Sequence, residues 1–305
     1  MNFCTKNPRL RQALERYLQF YQTAMNRKLL IIILIFVIHN FKAQSHRFTY
    51  EYKFVPDSTK IDSTITEYTR LEIFKEHSEF ISELSAKRDS ALLQSASKNS
   101  GEVGTNLPVG TFKNKVWKSK NKTYSTEFIG IEPFKVLNKG NFNWKLTNEK
   151  QIIQNYNCQK ATLNYGNRSW EAWFTNDIAF QDGPYVFQNL PGLIVQIGDS
   201  KNQHFFLLVA INKPLNSKSN TFEHKMFKAY EVTRIQFQNK WKQYKNNPIG
   251  GSEQFQLMNP QISNFKMFDE NGKERNMNDV RKEEREQAIM RIKKENNFID
   301  LELYK

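Results

Sequence analysis

Residues 46–54 read HRFTYEYKF, and this stretch decides what kind of fold the chain adopts. Aromatic side chains occupy every second position from Phe48 to Phe54, and polar or charged side chains occupy the positions between them. Successive side chains of a β-strand point to opposite faces of a sheet, so this alternation places four aromatic rings on one face. The stretch therefore predicts a strand with one apolar face, in a fold built around a sheet.

Further stretches of β type follow along the chain and extend this predicted sheet. The segment 64–74 is rich in threonine, isoleucine and tyrosine and should return antiparallel to 46–54. The later candidate strands are residues 116–129, 141–146, 158–165, 170–174, 193–197 and 205–211. Gly, Asn, Asp and Pro separate them, and the separators are too short for the helical crossovers that parallel strands need. The sheet is therefore predicted to be mostly antiparallel.

Three segments carry helical signals. Residues 79–96 mix alanine, leucine and charged residues in a weak helical pattern, and residues 233–245 place apolar side chains, Ile235 among them, near helical spacing. Asp279 can cap a third helix over 280–296, whose acidic residues come early and whose lysines come late, as the helix dipole favours. These helices are expected to pack on the sheet.

The composition supports one folded α+β domain. With 39% hydrophobic and 13% aromatic residues the chain is too apolar for intrinsic disorder, and 12 Gly, 9 Pro and 2 Cys exclude collagen and a disulfide scaffold. Residues 45–305 contain no repeat or long linker. We therefore expect a single domain there, with a curved, mostly antiparallel, open-barrel-like sheet and helices, including the C-terminal ones, packed against it.

An apolar run near the N-terminus predicts export. The run Leu29–Ile38 follows paired basic residues and is far shorter than the roughly 20 residues that a membrane-spanning helix needs. With the small residue Ala43 behind it, this pattern is typical of a secretory signal peptide over 25–44, although a buried core element is the alternative. Residues 1–24 then represent an over-long gene start before Met25 or an extended n-region.

Export limits the compartments in which the protein is expected and the classes of partner that it can meet. The formal net charge of the chain is +14, of which +8 remains after residue 44. That excess favours anionic envelope surfaces, and no nucleic-acid motif accompanies it, so no nucleic-acid partner is expected. Cys158 is the one cysteine left in this part and can form no internal disulfide. No second apolar run follows, so we expect a periplasmic or secreted protein without a transmembrane segment.

The segment 155–199 carries a distinctive series of motifs. They are Cys158, Lys160-Ala161, Arg168, Trp170-Glu171-Ala172-Trp173-Phe174, Gly183-Pro184-Tyr185 and Asn189-Leu190-Pro191-Gly192-Leu193-Ile194. Together they resemble the GLPGLI family, exported proteins of Gram-negative bacteria that are named for a six-residue motif and have no established biochemical activity. The resemblance extends from the early aromatic strand to Asn296-Asn297 and an apolar tail, which begins with Phe298 where the family has proline. It implies an envelope protein whose activity must be found from its structure.

The name-giving motif departs from the family at its first position, where Asn189 replaces glycine. Asparagine readily adopts a left-handed backbone, so the turn should survive this change. Pro191 followed by Gly192 predicts a type II turn with positive φ at the glycine, after which Leu193 and Ile194 enter the sheet. The alternative is a loop whose exposed backbone receives a peptide or an anion. We favour the structural turn because Pro-Gly between apolar residues is ordinary turn chemistry.

Few residues have the spacing of a catalytic or metal site. The histidines after residue 44 are scattered, so no metal site is predicted. Cys158 and His204 could form a thiol nucleophile and its base, but a lone cysteine in an alternating strand is typical of a buried small hydrophobe. Asp177, Asp182 and Asp199 could pair as acid and base, but the residues around the first two are typical of turns. No catalytic residue and no cofactor is assigned.

Arg168, Trp170 and Trp173 are the candidate ligand-binding residues. In a strand, Trp170 shares one face with Ala172 and Phe174, and Trp173 lies on the opposite face. One indole could therefore form a stacking platform, with Arg168 nearby for an anionic group. The simpler interpretation, which we favour, is that both faces are covered by other parts of the fold.

Three functional hypotheses remain. The first is a non-enzymatic binding or carrier protein of the envelope for a hydrophobic or extended ligand such as a lipid, lipoprotein or peptide. The second is a hydrolase or peptidase-associated enzyme that uses Asp177, Asp182 or Cys158, which predicts that these groups converge in one cleft. The third is a structural or assembly protein that presents its basic surface to anionic envelope components. We favour the first because the chain is rich in aromatic residues and lacks a catalytic constellation.

Overall fold

The aromatic strand predicted at 46–54 forms β1 and lies near the middle of a large sheet. The computed structural model describes residues 45–97, 110–138, 140, 142–212, 229–259 and 267–305, together with Arg16. The strands are β1 (His46–Phe54), β2 (Ile65–Ile73), β3 (His77–Ser82), β4 (Lys115–Ser119), β5 (Thr123–Ile129), β6 (Glu132–Asn138), β7 (Lys145–Ile153), β8 (Tyr156–Tyr165), β9 (Arg168–Thr175), β10 (Leu193–Asp199), β11 (His204–Asn212) and β12 (Tyr230–Val232). The helices are α1 (Glu83–Ser97), α2 (Arg234–Asn246), α3 (Gly250–Met258) and α4 (Met277–Lys294).

The strands of the described residues form one sheet in the order β12-β6-β5-β4-β3-β2-β1-β11-β10-β9-β8-β7. Nearly every pair in it is antiparallel, and only the short β12 runs parallel to its neighbour β6. Hairpins make most of the connections, as short turns require. The protein thus has the predicted α+β fold with a mostly antiparallel sheet.

The sheet is rolled into an open barrel. The hydroxyl of Tyr165 on β8 lies 3.4 Å from Oδ1 of Asn138 on β6, although β8 and β6 are the eleventh and second strands in the sheet order. In a flat sheet with strands ~4.8 Å apart, nine strand spacings would separate them by about 43 Å. Strong curvature therefore brings the two sides of the sheet together, as the sequence predicted.

The connection between β9 and β10, residues 176–192, fills the barrel, and we call it the inner loop. Its residues Tyr185, Val186 and Phe187 are fully buried in the same core as the aromatic side chains of β1. From there the inner loop reaches Lys118 of β4 and Glu127 of β5. In the sheet order these strands lie six and seven positions from β9, where the inner loop begins. Much of the apolar core thus lies between the concave face of the sheet and a loop inside it.

The gap in the barrel is covered by residues 296–305, which we call the closing segment. The amide of Leu301 donates a hydrogen bond of 2.9 Å to the carbonyl of Gly166, in the turn between β8 and β9. On the other side Leu303 packs with Phe237 and Trp241 of α2 against β5 and β6. The closing segment and α2 therefore join the two ends of the rolled sheet.

Two helix boundaries differ from those predicted. The first helix begins at Glu83, because the preceding residues from His77 to Ser82 pair with β2 and β4 as strand β3. The last helix begins at Met277 and is capped by Asn276, whose side chain accepts the amide of Asn278, so the predicted cap Asp279 lies inside its first turn. Helix α2 agrees within one residue of the prediction, and Thr233 caps it, but Ile235 is 70% exposed.

The strand predictions were incomplete in the middle of the chain and at the sheet edges. The predicted strand 116–129 is a hairpin of β4 and β5, because Lys122 turns back to hydrogen-bond with Ser119. Strand β6 and the short β12 were missed, and the strand predicted at 141–146 is β7, which runs from Lys145 to Ile153. Strand β7 is exposed at almost every position and β12 has three residues, so neither shows a clear alternation, and both lie at the sheet edges. Strand β6 does alternate, with Phe134 and Val136 buried, so its pattern was present in the sequence.

The N-terminal predictions concern a different part of the chain. The predicted signal peptide at 25–44 and, apart from Arg16, the preceding residues lie outside the described residues. Residues Ser45–Lys305 form one compact unit. In that described part of the chain, no helix is long and apolar enough to cross a membrane.

Candidate functional site

A cavity of about 140 Å³ lies inside the open barrel beneath the closing segment, and we call it the interior cavity. Strands β1, β5 and β11, the inner loop, α2, α4 and the closing segment all contribute to its wall. Its apolar lining comes from Tyr52, Phe54, Phe112, Phe128, Tyr185, Trp241, Tyr244, Ile292, Phe298, Ile299 and Tyr304. Lys113, Arg291 and Glu295 are exposed lining residues, so charged side chains lie at the outer part of this cavity.

Stacked aromatic rings form much of the wall of the cavity. On the sheet side the ring of Tyr52 lies 4.6 Å from Phe54 and 4.0 Å from Phe206. On the other side the rings of Phe298 and Tyr304 are parallel and 3.6 Å apart. Rings in these arrangements bury large areas and attract one another. The cavity is therefore bounded by surfaces that suit a flat or apolar ligand.

A buried carboxyl group forms a polar spot in this wall. Glu127 accepts hydrogen bonds from the hydroxyls of Tyr185 at 3.0 Å and Tyr304 at 2.8 Å, and from the side-chain amide of Asn114 at 2.6 Å. Burial raises the pKa of Glu127, and the hydrogen bonds oppose that rise. The carboxyl joins β5 to the inner loop and the closing segment, so it holds three walls of the cavity together.

His204 is the second polar group of the cavity wall. Its residue is 1% exposed, and its Nδ1 lies 2.8 Å from the hydroxyl of Tyr52. Its Nε2 is buried without a hydrogen-bond partner among the described residues. Burial first, and then the charge of Arg168, lower the pKa of His204 well below its usual value, so the ring is neutral. Such a neutral imidazole can still offer a hydrogen bond to a ligand.

Arg168 fastens the closing segment beside this histidine. Its Nη1 donates to Asp199 Oδ2 at 2.8 Å, and its Nη2 donates to Asn297 Oδ1 at 2.5 Å and to the carbonyl of Phe298 at 2.8 Å. The side chain of Arg168 is 4% exposed and that of Asp199 is 1% exposed. This buried ion pair uses the planar fork of the guanidinium to tie β9, β10 and the closing segment together.

The three predicted ligand-binding residues do not form one platform. Arg168 is occupied by the partners just described, and Trp170 is 1% exposed, with its Nε1 bonded to the carbonyl of Tyr165 and its ring 4.7 Å from Phe187. Trp173 lies on the opposite face of β9, half-buried, with Lys160 near its ring. Arg168 and Trp170 are therefore structural in this arrangement, because their polar atoms are bonded inside the protein.

The six-residue motif is structural, but its turn differs from the predicted one. Asn189 adopts the left-handed backbone, with φ of 71°, and its Nδ2 donates to the carbonyl of Gly140 at 3.1 Å. Gly192 has no positive φ, so the predicted type II turn is wrong. The glycine is needed because a Cβ there would overlap the backbone carbonyl of Thr175. Leu193 and Ile194 are fully buried at the start of β10, as predicted.

Three backbone amides of this motif are bonded to other residues of the inner loop. The amide of Asn189 donates to Gln181, that of Leu193 to Ile178 and that of Ile194 to Asp182, at distances of 3.0 to 3.2 Å. These bonds fold the inner loop onto itself before β10 begins. They agree with the structural interpretation of the motif rather than with a loop that receives a peptide or an anion.

The predicted acid and base residues are dispersed. Asp182 forms an ion pair with the fully buried Lys118 and accepts the hydroxyl of Ser78 at 2.5 Å. This ion pair fastens the inner loop to β4, and burial lowers the pKa of Lys118 while Asp182 opposes that change. Asp199 is held by Arg168, and Asp177 lies near the amide of Asn157 at the far end of the sheet. No two of these carboxylates share a site.

The proposed thiol and base pair is also separated. Cys158 lies in a surface groove with Asp177 and Asn157, whereas His204 lines the interior cavity. Burial raises the pKa of the Cys158 thiol to about 11, which makes the nucleophilic thiolate scarce at neutral pH. Among the described residues, no group of three His, Cys, Asp or Glu side chains could hold a metal ion.

Sequence reasoning did not assign Glu127, Tyr185, Asn297 and Tyr304 to a site, although Tyr185 and Asn297 belong to motifs that it singled out. One signal was present: Glu127 is a charged residue at an inward position of an alternating strand, where an apolar side chain is expected. The tyrosines give no such signal, because their hydroxyls meet the carboxyl from the inner loop and the closing segment, which lie far apart in the sequence.

Comparison with known proteins gives only distant likenesses. The sequence matches no protein-family model and no curated protein. Two crystal forms of PNGF-II, in space groups P21 and C2, align with 65% of this chain at 15% and 14% identity and TM-scores of 0.43 and 0.42. An uncharacterized conserved protein from Thermus thermophilus aligns over 63% of this chain and 92% of its own at 7% identity and a TM-score of 0.32. The chain spans about one third of PNGF-II, 33% and 32% in the two forms.

Proposed function

We propose that this protein is a non-enzymatic binding protein of the bacterial cell envelope, exported by the signal peptide at 25–44 and related to the GLPGLI family. The observation that carries the binding role is the interior cavity, a space with an aromatic wall and a few polar groups. Ligand sites in proteins are typically concave and apolar, with a small number of placed polar groups. The family relation and export rest on the sequence motifs alone.

The size of the cavity limits the ligand. A volume of about 140 Å³ is close to that of an engineered apolar cavity of about 150 Å³ that binds benzene. The volume of the cavity therefore matches a ligand of ring size. A lipid, lipoprotein or extended peptide would place one apolar end in the cavity and leave the remainder outside, near Lys113 and Arg291.

The positions of Asp177, Asp182 and Cys158 favour binding over hydrolysis. The hydrolase hypothesis needs all of these groups in one cleft, but Asp182 is paired with Lys118 in another part of the fold, and the Cys158 thiol that shares a groove with Asp177 has a pKa raised by burial to about 11. The carboxyl in the cavity wall, Glu127, is engaged by three donors. A group held in this way is suited to shaping a site.

Native mass spectrometry of the protein purified from its own cell envelope tests the proposal. We expect a stoichiometric small-molecule adduct that denaturation releases. The variant Ile299→Phe fills the cavity from the closing segment and should lose the adduct. The matched control Ile235→Phe makes the same change at a position that is 70% exposed on α2 and should keep it.

A wild-type protein that carries no adduct would contradict the binding proposal. The assembly hypothesis would then be the one to pursue, since it predicts association with anionic envelope components that weakens as salt is added.

A further inference from the structure

His204 has an unused hydrogen-bonding atom at the interior cavity. The residue is 1% exposed and lines the cavity, and its Nε2 lacks a hydrogen-bond partner among the described residues. The backbone of Asn297 lies close enough to favour a proton on the ring, but it does not give this nitrogen a hydrogen bond of good geometry. Buried polar atoms of native proteins are nearly always bonded, so an unpaired nitrogen at a cavity points to a missing partner.

The neighbouring tyrosine defines which ring nitrogen carries the proton. The hydroxyl of Tyr52 lies 2.8 Å from Nδ1 of His204, and the described residues offer that hydroxyl no other acceptor. A buried phenol hydrogen needs an acceptor, so Tyr52 donates to Nδ1. Because a neutral imidazole carries one proton, that proton is then on Nε2. The atom without a partner is therefore a donor.

We infer that the ligand of the interior cavity is a compact molecule with an apolar body and a single hydrogen-bond acceptor, such as a carbonyl, ether or ring nitrogen, which accepts the Nε2–H of His204. This inference rests on the proposed binding function and names the chemical class of ligand for the same site. The aromatic wall supplies the surface for the apolar body, and the histidine fixes its orientation.

The polar groups around Glu127 and Asn297 agree with a single acceptor in the inner part of the cavity, whereas the charged residues Lys113, Arg291 and Glu295 lie at its outer part. The three donors around Glu127 already bond to its carboxyl, and Asn297 is held by Arg168 and by the carbonyl of Val55. A ligand with several polar groups would leave them unpaired inside the cavity, which weakens binding. A ligand with one acceptor has its partner in His204.

Benzene and pyridine form a suitable pair of probes, because they share size and shape and differ by one ring nitrogen that accepts a hydrogen bond. Binding of both is measured by NMR titration at pH 7.5, where pyridine is neutral, for wild type and His204→Phe. We expect benzene to bind both proteins similarly. The affinity of pyridine relative to benzene should fall by roughly 5- to 100-fold in the variant, since the pyridine nitrogen then stays unpaired.

The matched control is His77→Phe, which removes a histidine that stacks between Phe74 and Trp117 on β3 and does not line the cavity. Its ratio of pyridine to benzene affinity should equal that of the wild type. If benzene binds but the ratio is the same in wild type and His204→Phe, the ligand class is overturned and the binding function stands. If benzene does not bind the wild type, the binding function itself fails.

Nitrogen-15 NMR of the wild-type side chain tests the inference without relying on a folded variant. We expect the Nε2–H form of His204, with a shift of its Nε2 resonance on addition of pyridine and no comparable shift with benzene. A proton on Nδ1 would overturn the inference, because Nε2 would then have nothing to donate.

Discussion

Two residues of the six-residue motif perform separate backbone tasks. Asn189 takes the left-handed conformation, and Gly192 lets β10 pass against the end of β9 without a Cβ in the way. The sequence predicted the left-handed backbone for Gly192, because Pro-Gly is typical of a type II turn. In the structure Gly192 has no positive φ. The steric reason is a contact with Thr175, which is distant in sequence, so no local pattern could reveal it.

Replacing Gly192 with alanine should destabilise the protein strongly. The new Cβ overlaps backbone, which cannot rotate away as a side chain can, so we expect a loss of about 3 kcal/mol or more in the free energy of unfolding. Chemical denaturation of Gly192→Ala measures it. Gly140→Ala is the matched control, since a Cβ there would meet no atom of the described residues within 4 Å, and it should change stability by less than about 0.5 kcal/mol. Equal effects would contradict this account.

The buried histidine makes stability depend on pH in a defined window. Burial and the nearby charge of Arg168 lower the pKa of His204 in the folded state below its usual value of 6.5. The ring nitrogen Nδ1 is bonded to the hydroxyl of Tyr52, and the backbone amide of His204 donates to the carboxylate of Asp199. Below pH 6.5 the unfolded chain binds a proton at this site that the folded protein does not. Stability contributed by the neutral ring is therefore complete above pH 6.5 and declines as the pH falls.

We expect the free energy of unfolding to fall by up to about 1.4 kcal/mol per pH unit from this group between pH 6.5 and 5. Urea denaturation of wild type and His204→Phe at several pH values isolates the effect as the difference between their slopes. Parallel slopes in this window would show that the histidine titrates alike in the folded and unfolded states.

At the scale of elements, the attachment of the closing segment to the sheet depends on the guanidinium group of Arg168. Arg168 makes five hydrogen bonds, to Asp199, Gln203, Asn297 and twice to the carbonyl of Phe298. A lysine keeps the charge but not the planar fork, so Arg168→Lys should leave acceptors of the closing segment unpaired. We expect a loss of about 2–4 kcal/mol in stability and faster proteolysis near residues 296–305.

Arg275→Lys provides the control for this element. Arg275 also pairs with a carboxylate, Glu283, but both side chains are solvent-accessible, and such pairs contribute little. Its melting temperature and its proteolysis pattern should match the wild type. A similar loss in both variants would mean that the fork of Arg168 has no special role.

The elements themselves were predictable where their periodicity was strong. β1 alternates between aromatic and polar residues, and β8 with β9 forms a hairpin whose turn residues Gly166 and Asn167 both take positive φ. Strand β3 was taken for helix because Ser78 to Ser82 are buried on both faces and show no alternation. The inner loop lay beyond local patterns, since its place is set by Lys118 and Glu127 across the barrel.

At the scale of the whole molecule, the sheet should have a gradient of local stability. In the described part of the chain, β7 pairs only with β8 and is exposed at almost every position, whereas β8 pairs on both sides. We expect the amides of β7 to exchange with solvent at least about 100-fold faster than those of β1, β2 and β11. Hydrogen exchange measured by mass spectrometry checks this order. Uniform protection across the sheet would contradict it.

Fold class was predictable at this scale, but the arrangement that creates the cavity was not. Short turns indicated antiparallel neighbours, and the strands β1 to β6 and β7 to β11 do pair in chain order, although α1 lies between β3 and β4 and the inner loop lies between β9 and β10. The joining of these two halves through β1 and β11, and the closure by residues 296–305, are contacts between distant segments. Alternation of side chains defines faces of a strand and does not define its partner.

The pairing of β1 with β11 also has a consequence for biosynthesis. Roughly 150 residues separate the end of β1 from the start of β11, and a ribosome adds about 5–20 residues per second, so one edge of β1 waits about 8–30 s for its partner. For most of that time the inner loop has not yet been made, and the closing segment follows β11, so an incomplete chain exposes aromatic side chains that the finished fold buries. Ribosome pausing before residue 204 should therefore increase aggregation of the nascent chain.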